Sequence, residues 1–296
     1  MKTNRIIQLA AGVLLFTACS SDFYKEYING RVPISLGYET LTAKEATRTA
    51  AATNLNDANI AAGRSVMVRI STNSGSSYND YEYTTNATAG AMVAPSEKPY
   101  YPTSGTVKIV AYHPYNAGTT FAVAEDQTNN DSYNQSDLMF SDNLSSLAKT
   151  SETVNLQFTH KMAKLVVTAT AGDGVSEIRT ITLKNVKRQV SFNQTTGDVG
   201  EATAAETGST NVVLFKDGSA ATGTGAALIP AQTIEGDVIA IETDQGTAVY
   251  NVPAGKAFNA NTKYTISVTV NRTAVGATNT ITWGSSASLT IQPTVT

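Results

Sequence analysis

The sequence predicts an all-β protein whose antiparallel sheets pack as sandwiches, and three observations predict it. Apolar residues recur at every second position in many short runs. Clusters of Gly, Asn, Asp and Pro separate those runs, and stretches suited to helix are scarce. Val66, Val68 and Ile70 alternate with Met67, Arg69 and Ser71, and Val107, Ile109 and Ala111 alternate with Lys108, Val110 and Tyr112. Val154, Leu156 and Phe158 alternate with Asn155, Gln157 and Thr159. Side chains of a strand point to opposite faces in turn, so such runs present one apolar face to a core. Similar runs are predicted near 163–169, 178–183, 212–215, 238–242, 247–252, 263–271 and 279–283. Turn chemistry is predicted at 73–75, 116–118, 172–174, 196–198, 217–218 and 223–225.

Two stretches have a composition compatible with a turn or two of helix, Leu41 to Ala52 and Ser141 to Ala148, though neither has a clean apolar face. Asn129 to Ser136 is polar and rich in Asn and Asp, which predicts a surface loop. The best domain boundary falls near 159–162, where one strand pattern ends and another begins. A chain of 296 residues suits one large or two ordinary domains.

The amino-terminal segment reads as an export signal. Lys2 and Arg5 give a positive start, 6–16 is apolar apart from Gln8, and Thr17 and Ala18 are small residues before Cys19. The apolar run is well short of the roughly 20 residues that cross a bilayer. Leu15 to Cys19 resembles a bacterial lipobox, in which the cysteine is diacylated and becomes the new terminus after cleavage. Cys19 is the single cysteine, which excludes a disulfide framework or a Cys-ligated metal and leaves lipid as its simplest use. An ordinary signal peptide with a bystander cysteine is the other reading. Without the leader the chain holds 19 basic against 24 acidic residues. Mild acidity with no basic patch argues against a nucleic-acid partner.

Motifs for catalysis or cofactor binding are lacking. His113 and His160 have no second ligand at helical or hairpin spacing, and each is read as a structural hydrogen-bonding residue. Gly223 and Gly225 lack the third glycine and the strand-to-helix context of a dinucleotide fold. Asp126, Asn129, Asn130 and Asp131 do not follow the spacing of a calcium loop and read as a solvated loop. Tyr78, Tyr81, Tyr83, Tyr100 and Tyr101 could stack on sugar, but tyrosine is also ordinary in half-buried strands. No enzyme and no cofactor is expected.

Two segments near the ends share one binary pattern. Val32, Ile34, Leu36 and Tyr38 lie on one face of 32–39, and Leu289, Ile291, Pro293 and Val295 on one face of 289–296. Each contains a proline, which cannot donate to a ladder and so belongs at an edge or a strand start. Equal patterns allow both segments to suit the same edge groove, or to belong to separate sheets. Between the first of them and the body, 40–54 is polar, rich in Ala and Thr, and carries Arg48. An arginine in such a linker suits an arginine-specific protease. Cutting there would release lipid, tether and first strand together and leave an apolar groove.

These features come together with a series of short motifs: YYP at 100–102, VAYHPY at 110–115, QSDLM at 135–139, VNLQFTHKMAKL at 154–165, SFNQTTG at 191–197, LIPAQ at 228–232, KYTISVTV at 263–270 and ITW at 281–283. With the lipobox, the first strand and Arg48, the chain resembles the fimbrillin family, the subunits of type V pili of anaerobic Gram-negative bacteria. The resemblance covers about residue 15 to 283. It implies two transthyretin-like antiparallel β-sandwich domains in series. The divisions are then a signal peptide at 1–18, a lipidated propeptide with the first strand at 19–48, an N-terminal domain at 49–160, and a C-terminal domain at 161–296. It further implies lipidation at Cys19 and cleavage between Arg48 and Thr49 by an arginine-specific protease. Val32, Ile34, Leu36 and Tyr38 would be displaced, and a strand at 287–296 bearing Leu289, Ile291 and Val295 would enter the groove of the next subunit. The implied partners are other pilus subunits, in a homopolymer or a mixed one, and the outer membrane through the precursor's lipid. The implied location is the outer membrane and surface fimbrium, with a role in cell adhesion.

Pro293 departs mildly from a donor strand, because it removes one ladder hydrogen bond. Arg31 and Arg64 are other arginines near loops, although Arg31 precedes the strand and Arg64 lies close to the body. The clean pattern at 289–296 favours a stalk or accessory stalk subunit. A surface lipoprotein that does not polymerise, either a pilus anchor or a glycan-binding module using the Tyr78 to Tyr101 region, is the alternative.

Overall fold

The structure is a computed structural model that describes residues 31–40, 60–86, 90–206, 208–252, 256–275, 278–283 and 288–293; from Thr273 onward it describes backbone pairing alone. The first half of the chain supplies β1 (Leu36–Thr40), β2 (Ser65–Ser71), β3 (Asn79–Thr85), β4 (Met92–Val93), β5 (Thr106–His113) and β6 (Thr120–Ala122). A short helix, α1 (Asn130–Gln135), then precedes β7 (Met139–Ala148) and β8 (Val154–His160). Seven of these strands form one sheet in the order β1-β8-β7-β5-β2-β3-β4. Its neighbours run antiparallel except for β1 and β8, which pair parallel. The period-two residues explain the sheet. Val66, Val68 and Ile70 of β2, Val107, Ile109 and Ala111 of β5, and Leu156 and Phe158 of β8 all enter one core.

The second half supplies β9 (Ala163–Ala171), β10 (Ile178–Leu183), β11 (Gln189–Ser191), β12 (Val212–Ala220) and β13 (Thr222–Ile229). It continues through β14 (Gln232–Thr233), β15 (Gly236–Thr243), β16 (Gly246–Val252) and β17 (Ala257–Phe258) to β18 (Thr262–Val275), β19 (Thr278–Trp283) and β20 (Ser288–Pro293). A four-stranded sheet, β12-β10-β15-β16, faces a five-stranded one, β13-β9-β18-β19, with β20 also paired to β18. A second core from Leu165, Val167, Ile181, Leu183, Ile239, Ile241, Ile266 and Val268 lies between them. Strands up to His160 and strands from Ala163 thus occupy separate sheets, apart from the pairing of β6 with β11.

A third core joins the halves. Val110 and Tyr112 of β5, Leu138 and Phe140 from the first half pack with Met162, Val190, Phe192 and Leu228 from the second. Tyr112 and Phe140 both meet the Phe192 ring edge-on, at centroid distances of 5.4 and 6.2 Å. The segment after β6 then runs along the second half. Gln127 donates its N–H to Val213 O at 2.9 Å, and Val213 donates to Glu125 O at 2.7 Å. The buried Gln127 side chain continues this pairing, accepting from Leu228 N at 2.8 Å and donating to Leu228 O at 2.9 Å. Arg188, also buried, donates to Val123 O at 2.7 Å and to Glu125 at 2.9 Å.

Several expectations are corrected. Ser141 to Ala148, considered for helix, lies in β7, where Leu144 faces the core and Ser145 and Ser146 face solvent. Asn129 to Ser136, expected as a loop, contains α1, because the Asn129 side chain accepts from Ser132 N and caps its start. The glycines at 223 and 225 lie inside β13 rather than in a turn, and 217–218 lies inside β12. Close approach of β13 to β12 explains the glycines: a Cβ at Gly225 would stand 2.0 Å from Leu214 O. The helix candidate at Leu41 to Ala52 lies within 41–59, outside the described residues.

His113 is buried at the junction, its ring nitrogens 3.3 Å from Ser65 O and 3.1 Å from Asn134 O, and burial holds its pKa below 6.5. Burial opposes the charge on Asp137, yet His160 (2.8 Å away), His113 and Lys164 hold its carboxyl below the ordinary 3.8. Both shifts act in one direction. Below pH 6.5 the unfolded chain takes up a proton that buried His113 refuses, and near and below 3.8 it takes up one that folded Asp137 refuses. The unfolding midpoint is therefore expected to fall steadily between pH 7 and pH 3, measured by urea melts across that range; a flat profile would contradict these shifts. Gln127→Leu leaves the N–H and C=O of Leu228 buried without partners and is expected to cost about 2–4 kcal/mol, read from the same melts.

Candidate assembly site: the first strand and its groove

The first strand lies between the two edges of the seven-stranded sheet. On one side β1 runs parallel to β8, with Leu36 opposite Val154 and Tyr38 opposite Leu156. On the other side Ile34 donates to Pro99 O at 2.9 Å, Tyr101 donates to Val32 O at 3.0 Å, and Tyr38 donates to Gly90 O at 2.8 Å. Bridges from Pro33 to Tyr100 and from Gly37 to Ala91 follow. Pro33 carries no N–H, and the ladder passes it through its neighbours Val32 and Ile34.

The inward face of this strand is apolar and buried. Ile34 is 1% exposed and Leu36 and Tyr38 are each 3% exposed, all within the core of the first half, with Val32 partly buried against it. Tyr38 donates its hydroxyl to Ile60 O at 2.8 Å, and Tyr83 donates to Ile34 O at 3.0 Å. Burial raises the pKa of both phenols, so they remain neutral donors over the physiological range. Gln157 donates to Glu39 at 2.8 Å, and the Arg31 guanidinium lies 3.9 Å from the centroid of the Tyr100 ring. Each buried aliphatic side chain of this kind contributes about 1.5–3 kcal/mol before ordering costs.

The last strand is held differently. β20 pairs antiparallel with the first six residues of β18, placing Leu289 opposite Ile266 and Ile291 opposite Tyr264. β18 pairs with β9 along its other edge, and β19 takes the remainder of the edge that β20 occupies. The two terminal strands therefore lie in separate sheets of one chain.

Among the expected sites, Val32, Ile34, Leu36 and Tyr38 converge in the groove, and Leu289 and Ile291 lie in β20. Cys19, Arg48, Thr49 and Val295 lie outside the described residues. Arg64 is tied into the body: its N–H bonds Thr85 Oγ1 at 2.9 Å, its carbonyl accepts from Thr85 N at 2.9 Å, and its guanidinium pairs with Asp131. The five tyrosines do not form one surface, because Tyr83 and Tyr101 are buried in the core while Tyr78 stacks with Arg69 and Tyr100 with Arg31. In the Asp and Asn cluster three groups serve their own neighbours: Asp126 accepts from Thr128, Asn129 caps α1, and Asp131 pairs with Arg64. Sequence reasoning missed Gly37 within the strand, and Gly90 and Ile60, which wall or anchor it. Only the glycines carried a signal, and it did not separate them from turn glycines.

Comparisons with known proteins agree with this architecture. Two crystal structures share the fold. One is of a protein from Bacteroides uniformis described as a cell adhesion protein, with a TM-score of 0.60, 20% identity, and coverage of 88% of this chain and 98% of that one. The other, of the same description, is from Bacteroides ovatus, with a TM-score of 0.60, 17% identity, and coverage of 90% and 99%. A Bacteroides uniformis protein that carries the name fimbrium subunit Fim1C is 28% identical over 214 residues, which span 66% of this chain and 68% of its own length. The fimbrillin-like family model matches residues 47–288, most of the chain, and the chain belongs to that family.

Proposed function

We propose that the chain is a structural subunit of a surface fimbrium that supports cell adhesion, exported as a lipoprotein on Cys19 and assembled by strand exchange. In this reading the chain consists of two sandwich domains, 49–160 and 161–296, behind a propeptide that carries the first strand. Cleavage after Arg48 frees Val32, Ile34, Leu36 and Tyr38, and a donor strand from another subunit takes their place by β-strand addition. The observation that carries the reading is the first strand itself: three buried side chains and hydrogen bonds on both flanks, in a strand that enters from the propeptide. Between Thr40 and Ile60, where both ends are tied to the body, Arg48 is the only arginine in the sequence. Arg64 is a poor substrate, since its backbone and side chain are already engaged.

Arg48→Ala is expected to give full-length subunits that fold and reach the surface but form no ladder on a non-denaturing gel. Ladders of normal length would remove Arg48 from the mechanism.

A second reading is favoured by one observation, the pairing of β20 with β18 in its own sheet. A subunit that keeps its last strand at home would be an anchor or another non-polymerising lipoprotein. Deletion of 287–296 separates the two. For a donor, assembly stops while the precursor's melting temperature drops by only a few degrees, because six residues pair along one edge. A fall of many degrees would assign 287–296 to its own sandwich and end donor assembly through this segment.

A further inference from the structure

We propose that Gly37 marks a steric filter in the groove, and that the strand accepted there carries glycine at that place and comes from a subunit other than a second copy of this chain. The inference rests on the strand-exchange reading and specifies its partner.

Gly37 stands opposite Asn155 of β8 and is bridged to Ala91 on the other flank. A Cβ at this position would lie 2.3 Å from Asn155 Oδ1 and 2.6 Å from Gly90 O. The Asn155 amide ends a flexible side chain and can swing away. The Gly90 carbonyl is backbone, and it accepts the Tyr38 N–H at 2.8 Å. An incoming strand that offers its own N–H there draws the carbonyl to the same place. Gly90 is confined in turn, with φ of +83° and room for a Cβ only 3.1 Å from Tyr38 O. Gly37 itself is not among the residues with positive φ, so space and not backbone conformation calls for glycine.

The last strand of this chain does not meet that requirement. Laying Leu289, Ile291, Pro293 and Val295 over Val32, Ile34, Leu36 and Tyr38 puts Thr294 at the place of Gly37. Sliding the segment by two or four residues, which preserves the inward face, puts Gln292 or Thr290 there. Residues 285–296 contain no glycine. Pro293 would also bring no N–H to the ladder at the place of Leu36. The groove therefore favours a heterologous strand of alternating apolar residues with glycine between the third and fourth of them, as in this chain's own propeptide.

The test uses the full chain processed by an arginine-specific protease, with capture of fluorescent peptides measured by anisotropy. The 31–40 peptide is expected to bind, and its Gly37→Val form to bind roughly tenfold or more weakly, the usual scale of backbone overpacking. The 288–296 peptide should bind poorly, and its Thr294→Gly form should gain. Equal capture of the 31–40 and 288–296 peptides overturns the inference while leaving strand exchange intact. No capture of the 31–40 peptide by a processed chain that stays folded overturns strand exchange, and the inference with it. Melting of the uncleaved Gly37→Val precursor is independent of exchange: a clear drop supports the filter, and an unchanged midpoint removes it.

Discussion

A sheet edge that borders a core must be paired, and the first half of this protein depends on how that requirement is met. Without the first strand, β8 would present an open ladder and Leu156 and Phe158 would lose the cover of Leu36 and Tyr38. The first strand supplies hydrogen bonds to β8 on one flank and to 90–101 on the other, and its apolar face completes the core in the same stroke. It is also the one parallel neighbour in an otherwise antiparallel sheet. A hairpin cannot deliver a parallel strand, so the chain has to bring it across by a long connection. Such a strand is the natural candidate for removal, because cutting the connection detaches it without disturbing the hairpins that order the rest.

The junction core imposes the opposite requirement. β5 is covered on both faces, by Val107, Ile109 and Ala111 in the first core and by Val110 and Tyr112 in the third. The second half reaches back through Val190 and Phe192 to cover it, while Gln127 and Arg188 join the two halves by polar contacts. Several motifs that carry the family resemblance meet here: 110–115, 135–139, 154–165, 191–197 and 228–232 all place a residue in this third core. The sequence signature therefore reports the joint between the halves more than the groove of the first strand.

Much of the fold was legible because half-buried strands leave a period-two trace, and β2, β8, β9 and β10 follow it closely. The trace fails where a strand is covered on both faces. β5 is buried almost without interruption from Ile109, so its alternation could not announce the third core. Glycine misled for a related reason. In β13 the glycines at 223 and 225 make room for β12, whereas at Gly75 and Gly174 positive φ shows the turn use that was expected. β7 escaped notice because its outward face carries Ser and Asn that dilute the pattern. Of the candidate site, the four inward residues of the first strand were readable from the same alternation. Its walls were not, because Gly90, Asn155 and Ile60 come from three distant places and meet only in the folded sheet.

The two terminal strands share a binary pattern yet differ in how the chain holds them, and that difference bears on how assembly could be timed. The first is paired on both flanks and contributes three buried side chains to a core. The last, among the described residues, is paired along one edge with β18. A strand held on one side can peel from its end with each ladder bond lost in turn, whereas one held on both sides must break two rows at once. Exchange by peeling the first strand from an intact precursor would therefore be slow, and the covalent link to 41–59 would return it at high effective concentration. The proposed cleavage would remove that return without weakening any contact in the groove. Under the proposed strand exchange, the barrier to assembly would then lie in the chain connection rather than in the affinity of the strand, and a single cut would turn a tightly packed precursor into a receptive subunit.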